Sequence, residues 1–123
     1  MRVLDSCDSP QSISYHGVNV RASYTQLSLA FGQGEILNDD KVNYEWICET
    51  EDGRKFTIYD WKEGRFSDDQ VIEWHIGSDD LYSSLVAKDE VVGELMARLS
   101  DHFPNDQTFG QEIRKTIRIR KKI

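Results

Sequence analysis

The sequence predicts a small α+β fold in which an antiparallel sheet packs against one or two helices, the sheet consisting of a central hairpin over 42–61 and a strand over 71–76. Three observations predict it. Val42 to Glu49 alternates apolar and polar side chains, Asp52-Gly53 supplies a turn, and Lys55 to Trp61 returns. Ser23-Tyr24-Thr25-Gln26 is a capping-box pattern that leads into apolar residues at helical spacing. From Lys88 onward, Val92, Met96, Leu99 and Phe103 recur at helical steps, and Val91 and Leu95 widen that stripe.

Taken in order, Asp5 to Ser12 is polar and turn-forming, so residues 1–12 read as a loose N-terminal segment. Ile13 to Val20 reads as a short strand. The first helix then runs from its cap at Ser23 through Tyr24, Leu27, Ala30 and Phe31, and Gly32 and Gly34 end it. Residues 35–41 read as a loop. In the first hairpin strand Val42, Tyr44, Trp46 and Cys48 share a largely apolar face. In the second, Phe56, Ile58 and Asp60 face one way and Thr57, Tyr59 and Trp61 the other. Asp-Gly suits a type I′ turn between them. In the third strand Ile72, Trp74 and Ile76 oppose Val71, Glu73 and His75, and Gly77 to Asp80 closes it. Residues 81–87 fit neither pattern. In the second helix Asp89 and Glu90 would occupy the first turn, where acids suit the helix dipole, and Pro104 stops the run. Beyond it the alternation of Ile117, Ile119, Lys121 and Ile123 fits a strand or extended arm, while Phe109, Ile113 and Ile117 also fit a helix.

The 123 residues suit a single domain, and 38% hydrophobic with 11% aromatic content is enough for a real core. No apolar run approaches the roughly 18 residues of a membrane span, and the first residues lack the apolar stretch of a secretory signal. Cys7 and Cys48 form no CxxC pair and make no disulfide framework, so a reducing cytoplasm is the expected compartment. The net charge of −7 hides an asymmetry: residues 114–123, RKTIRIRKKI, carry six basic residues and no acid. The remaining 113 residues hold all 22 acids and nine of the 15 Lys and Arg, a net of −13. Such a body repels nucleic acid, so nucleic-acid binding is not expected, and the tail is expected to dock on acidic surface.

The middle of the chain carries Gly17, Ser23 to Leu27 (SYTQL), Phe31-Gly32, Asp40-Lys41, Glu45-Trp46, Gly53, Thr57 to Lys62 (TIYDWK) and Trp74 to Gly77 (WHIG). In this order and spacing, over roughly residues 17–77, the chain resembles a family of small uncharacterised bacteriophage proteins. It departs from that pattern at Ser78, where the family often has a second glycine, and residues 78–123 do not follow it. The resemblance implies a phage or prophage origin. Small phage proteins often act by binding, and some counter host defences; the family supplies no catalytic residues.

The aromatic residues Tyr44, Trp46, Phe56, Tyr59, Trp61 and Trp74 concentrate on three strands, where sheet core is their first explanation. Yet Tyr59 and Trp61 oppose Phe56 and Ile58. If helices cover one face, the other exposes rings, buries them in a homodimer, or binds something. Three functions follow, in order of preference. The first is a non-enzymatic binding protein, an inhibitor of a host defence protein. The second is a protein that sequesters a small nucleotide or signalling molecule, which would stack on Tyr59 or Trp61 with Arg54, Lys55, Lys62 or Arg65 near its phosphates. The third is a small hydrolase-like enzyme using His75, with Glu73 beside it and Asp60 or Glu45 across a strand. Cys7, Cys48, His16, His75 and His102 show no metal-ligand spacing, and Gly32-Gln33-Gly34 follows a helix where a phosphate loop would precede one, so no metal or cofactor is expected.

Overall fold

Alternation along the strands and a helical apolar period give an α+β fold in which a six-stranded antiparallel sheet packs against two helices. The computed structural model describes residues 1–5, 13–37 and 39–102. Its strands are β1 (Arg2–Val3), β2 (Tyr15–Ala22), β3 (Glu35–Ile36), β4 (Tyr44–Glu49), β5 (Lys55–Tyr59) and β6 (Ile72–Ser78). The helices are α1 (Tyr24–Phe31) and α2 (Leu81–His102). The sheet order is β1-β4-β5-β6-β2, and β3 also pairs with β4. The expected tail strand or arm at 114–123, the stop at Pro104, and Cys7 lie outside the described residues. No helix among the described residues is long and apolar enough to cross a membrane.

One face of the sheet carries Val18, Val20, Ala22, Trp46, Cys48, Phe56, Ile58, Ile72, Trp74 and Ile76. Leu27 of α1 and Ala87, Val91, Val92 and Leu95 of α2 close over them to form a single core cluster. The buried indoles are satisfied: Trp46 Nε1 donates to Gly32 O at 2.9 Å and Trp74 Nε1 to Ala22 O at 2.8 Å. Burial of each large side chain contributes roughly 1.5–3 kcal/mol.

The central antiparallel hairpin forms as expected, pairing from Glu45↔Tyr59 to Glu49↔Lys55. Its turn differs in type. Thr50 N donates to Arg54 O at 2.8 Å and Gly53 N to Thr50 O at 3.0 Å. Gly53 has φ +87°, and Lys62 is the only non-glycine with positive φ among the described residues, so Asp52 is not left-handed. This is a three-residue loop built on a type I turn with a left-handed glycine, where a two-residue type I′ turn was expected. The Thr50 hydroxyl explains the choice. It accepts from Arg54 N at 2.9 Å and donates to the Asp52 carboxylate, which holds the longer loop.

The α1 capping box forms as read: Ser23 Oγ accepts from Gln26 N at 3.1 Å, and Gln26 Oε1 accepts from Ser23 N at 2.9 Å. Other boundaries move. Arg2–Val3, expected in a loose segment, pairs with Glu49 and Cys48, and an Arg2–Glu49 ion pair at 3.0 Å accompanies it. Glu35–Ile36, expected in a loop, pairs with Glu45 and Tyr44. β6 continues through Gly77 and Ser78, because β2 runs alongside as far as Tyr15↔Ser78. α2 starts at Leu81, not near Lys88. Asp80 explains the earlier start: its carboxylate accepts from Ser83 N at 2.7 Å, and its carbonyl from Ser84 N at 3.1 Å. Asp89 and Glu90 therefore lie beyond the first turn, and Asp80 is the acid that meets the helix dipole. The hydrogen bond from the Ser83 amide holds the Asp80 carboxyl below its usual range.

Candidate functional site

Among the described residues neither helix packs on the second sheet face, although Ile47 and Thr57 on it are themselves buried. Period-two alternation sends Ile47, Thr57, Tyr59 and His75 to that face, opposite the core residues beside them. Strand register then lines up Glu45, Tyr59, His75 and Asn19 in one row across β4, β5, β6 and β2. The Tyr59 and His75 rings stack with centroids 5.6 Å apart and planes 25° apart.

A second feature of β2 brings in His16. Tyr15 pairs with Ser78, but Val18 pairs with Ile76, so β2 holds one extra residue between them. This bulge re-aims the side chains before it. Tyr15 packs against the core, while His16 reaches over the helix-free face. There His16 Nδ1 and the Tyr59 hydroxyl share a hydrogen bond of 2.6 Å. Gly77 makes room for the crossing. A Cβ at that position would lie 2.7 Å from Ile13 Cγ2 and 3.2 Å from His16 Nδ1.

Together Ile13, His16, Val42, Glu45, Thr57, Tyr59, Trp61 and His75 enclose an open, largely apolar cavity of about 600 Å³. Burial raises the Glu45 carboxyl above its ordinary value, and the facing Glu35 raises it further. The Tyr59 phenol is also raised, first by burial and then by Glu45. On the opposite face Cys48 is enclosed in the core, and its thiol is pushed up to about 12.

No family model, curated protein or solved structure matches this chain. The meaning of the cavity therefore rests on its own residues.

Of the side chains singled out in the sequence, Tyr59, Trp61, His75 and Glu45 line it. Lys62 stands beside it with its ammonium 5.7 Å from the Trp61 ring centroid, as does that of Lys41. Arg54 is elsewhere. It bonds Asp52 at 2.8 Å and Ser83 at 3.0 Å, and lies 4.6 Å from the Tyr82 ring centroid. Arg65 is exposed and does not line the cavity. Four proposed phosphate contacts thus reduce to Lys62, because the hairpin carries Arg54 and Lys55 away at its turn end.

The acid–base partners proposed for His75 also sort themselves. Tyr59, not Asp60, is directly across from His75. Asp60 is fully buried and accepts from Asn43 N, Asn43 Nδ2 and Tyr44 N at 2.8–3.2 Å. Glu45 lies two strands from His75, about 10 Å by strand spacing, with Tyr59 between. Glu73 accepts from Asn19 Nδ2 at 3.0 Å. Among the described residues, no group of three or more His, Cys, Asp and Glu is placed to hold a metal ion.

Sequence reasoning did not place His16, Ile13 or Val42 here. The bulge that turns His16 outward leaves no mark in simple alternation. Val42 reads as a core residue of the first hairpin strand, but Asp60 captures the Asn43 and Tyr44 amides, so the strand begins after Val42.

Proposed function

We propose that this protein is a non-enzymatic, phage-type binding protein that docks a partner protein on its helix-free sheet face. The observation that carries the reading is the open, apolar-walled cavity of about 600 Å³ on that face, lined by Tyr59, Trp61 and His75. An aromatic recess open to one side suits the protruding side chain of a protein better than a small ligand enclosed on all sides. The resemblance of residues 17–77 to small phage proteins adds a setting, the host cytoplasm, and a class of partner, a host defence protein inhibited by occlusion. Catalysis by His75 receives less support, because its ring stacks on Tyr59 while the cavity's carboxylate stands beyond that ring.

One observation favours a second reading. The ammonium groups of Lys41 and Lys62 both lie 5.7 Å from the Trp61 ring centroid, which would set cations beside the phosphates of a nucleotide stacked there.

Capture from a host lysate by the full chain, repeated with Tyr59→Ser and Trp61→Ser variants of unchanged melting temperature, tests the main reading. A stoichiometric protein should be retained by the parent chain and lost by both variants. The bound face should show slowed hydrogen exchange at 57–61 and 74–76. A partner retained by both variants, or protection confined to another surface, would refute it. A nucleotide recovered in place of a protein would establish the second reading, and sedimentation of a dimer broken by both substitutions would make the partner a second copy.

A further inference from the structure

We infer that the helix-free cavity receives an arginine side chain from a basic segment of the partner protein, with the guanidinium against Glu45 and its flat face on Tyr59. The inference rests on the protein-docking reading above and names the chemistry of the partner.

Charge is the first argument. Among the described residues Glu45 is the only carboxylate lining the cavity, and β3 places Glu35 directly opposite it in the antiparallel register. Directly opposed like charges on one sheet face destabilise each other. Neither Glu35 nor Glu45 is in an ion pair among the described residues. Burial raises the Glu45 carboxyl above its ordinary value, and the Glu35 carboxylate opposite raises it further. A bound cation would relieve both carboxylates. At longer range, the net charge of −7 attracts basic segments and repels acidic ones.

The walls supply the second argument. Aromatic faces attract cations, and the Tyr59–His75 stack lies beside Glu45 in the same cross-strand row. Lys41 and Lys62 sit by Trp61, so an incoming cation is turned from that end toward Glu45 and Tyr59. A guanidinium fits better than an ammonium because it is planar. It can stack on a ring while presenting paired N–H donors to one carboxylate.

The test titrates the full chain with N-acetyl-arginine amide and, separately, with N-acetyl-citrulline amide, its uncharged isostere. Amide NMR shifts locate the binding. The expected result is saturable shifts at Glu45, Tyr59 and His75, with the arginine compound about fivefold tighter at low salt. Glu45→Gln should fold normally and bind the two compounds equally. Equal binding of both by the parent chain in the cavity would overturn the guanidinium assignment while leaving protein docking intact. Shifts confined to another surface, or no saturable shift, would overturn the assignment and count against the docking face as well. The chain's own basic segment is a competing occupant. If replacing Arg114, Arg118 and Arg120 by Gln tightens the arginine compound about tenfold, that segment fills the cavity and the external partner is refuted; unchanged affinity supports the external partner.

Discussion

Replacing Asp60 should destabilise the protein more than any surface substitution, although the residue lies in a connecting segment. Its carboxylate is fully buried. Oδ1 accepts from Asn43 N and Tyr44 N, each at 2.9 Å, and Oδ2 from Asn43 Nδ2 at 2.8 Å. Asn43 Nδ2 in turn donates to Gly64 O at 2.8 Å, so one carboxylate ties the start of β4 to the loop after β5. Hydrogen bonds to a charged acceptor contribute about 1.5–3 kcal/mol each, and orphaned donors add a penalty that entering water partly offsets. Asp60→Ala should therefore cost about 3–5 kcal/mol, which for a chain of this size lowers Tm by roughly 12–20 °C. Asp60→Asn keeps one oxygen for the two backbone amides but turns an NH2 toward the Asn43 amide. Its cost should be smaller, about 1–2 kcal/mol. Thermal unfolding followed by far-UV circular dichroism measures both. If Asp60→Ala melts within about 3 °C of the parent, or Asn is worse than Ala, the account of this carboxylate is wrong.

Four further outcomes are expected. Gly34→Ala should cost about 1–3 kcal/mol by overpacking, since a Cβ there would stand 2.9 Å from a Trp46 ring held by its bond to Gly32; an unchanged urea midpoint would contradict this. Gly53→Val should cost about 1–2 kcal/mol because φ is +87°, and Gly53→Asn should recover part of that loss in the same melt. Gly77→Ala should push Ile13 and His16 outward and weaken the His16–Tyr59 hydrogen bond, read as shifted His16 ring resonances with a modest change in Tm. In a Cys7→Ser chain the remaining Cys48 should resist thiol reagents until denaturant is added. Its folded value of about 12 against 9.0 unfolded makes the neutral thiol's contribution full below pH 9 and lost as pH rises toward 12. The raised phenols of Tyr44 and Tyr59 act in the same direction. The urea midpoint should thus fall across that alkaline window, less steeply for Cys48→Ala.

The parts of the fold legible in the sequence are those dictated by neighbours in the chain. Alternation at 55–61 and 72–76 assigns the correct faces because side chains on a strand must alternate. The Ser23–Gln26 box works because both partners lie within one turn. Illegible parts depend on residues distant in sequence. Arg2–Val3 becomes a strand only because β4 offers an edge 46 or so positions away. Asp60 reads as a strand residue beside Phe56 and Ile58, or as a partner of His75, until the Asn43 and Tyr44 amides are placed against it. Of the site, Tyr59, Trp61 and His75 were readable as rings on the second face. His16 was not, since its direction depends on how β2 pairs with β6.

The order of the strands bears on how the protein acquires its site in time. β4 and β5 meet through a short turn, and β6 follows β5 after a modest loop, so three walls of the cavity can assemble locally. β2 comes before them in the chain but must lie beyond them in the sheet, and even its nearest pair, Ala22↔Ile72, is fifty positions apart. Closing so long a segment costs conformational entropy before any contact offsets it, which places such pairings late in folding. His16 and Ile13 arrive on or beside that strand. A nascent or partly opened chain would thus hold a sheet with Tyr59 and His75 already stacked, yet lack the wall that turns them into a recess, so the recess exists only once the fold is complete.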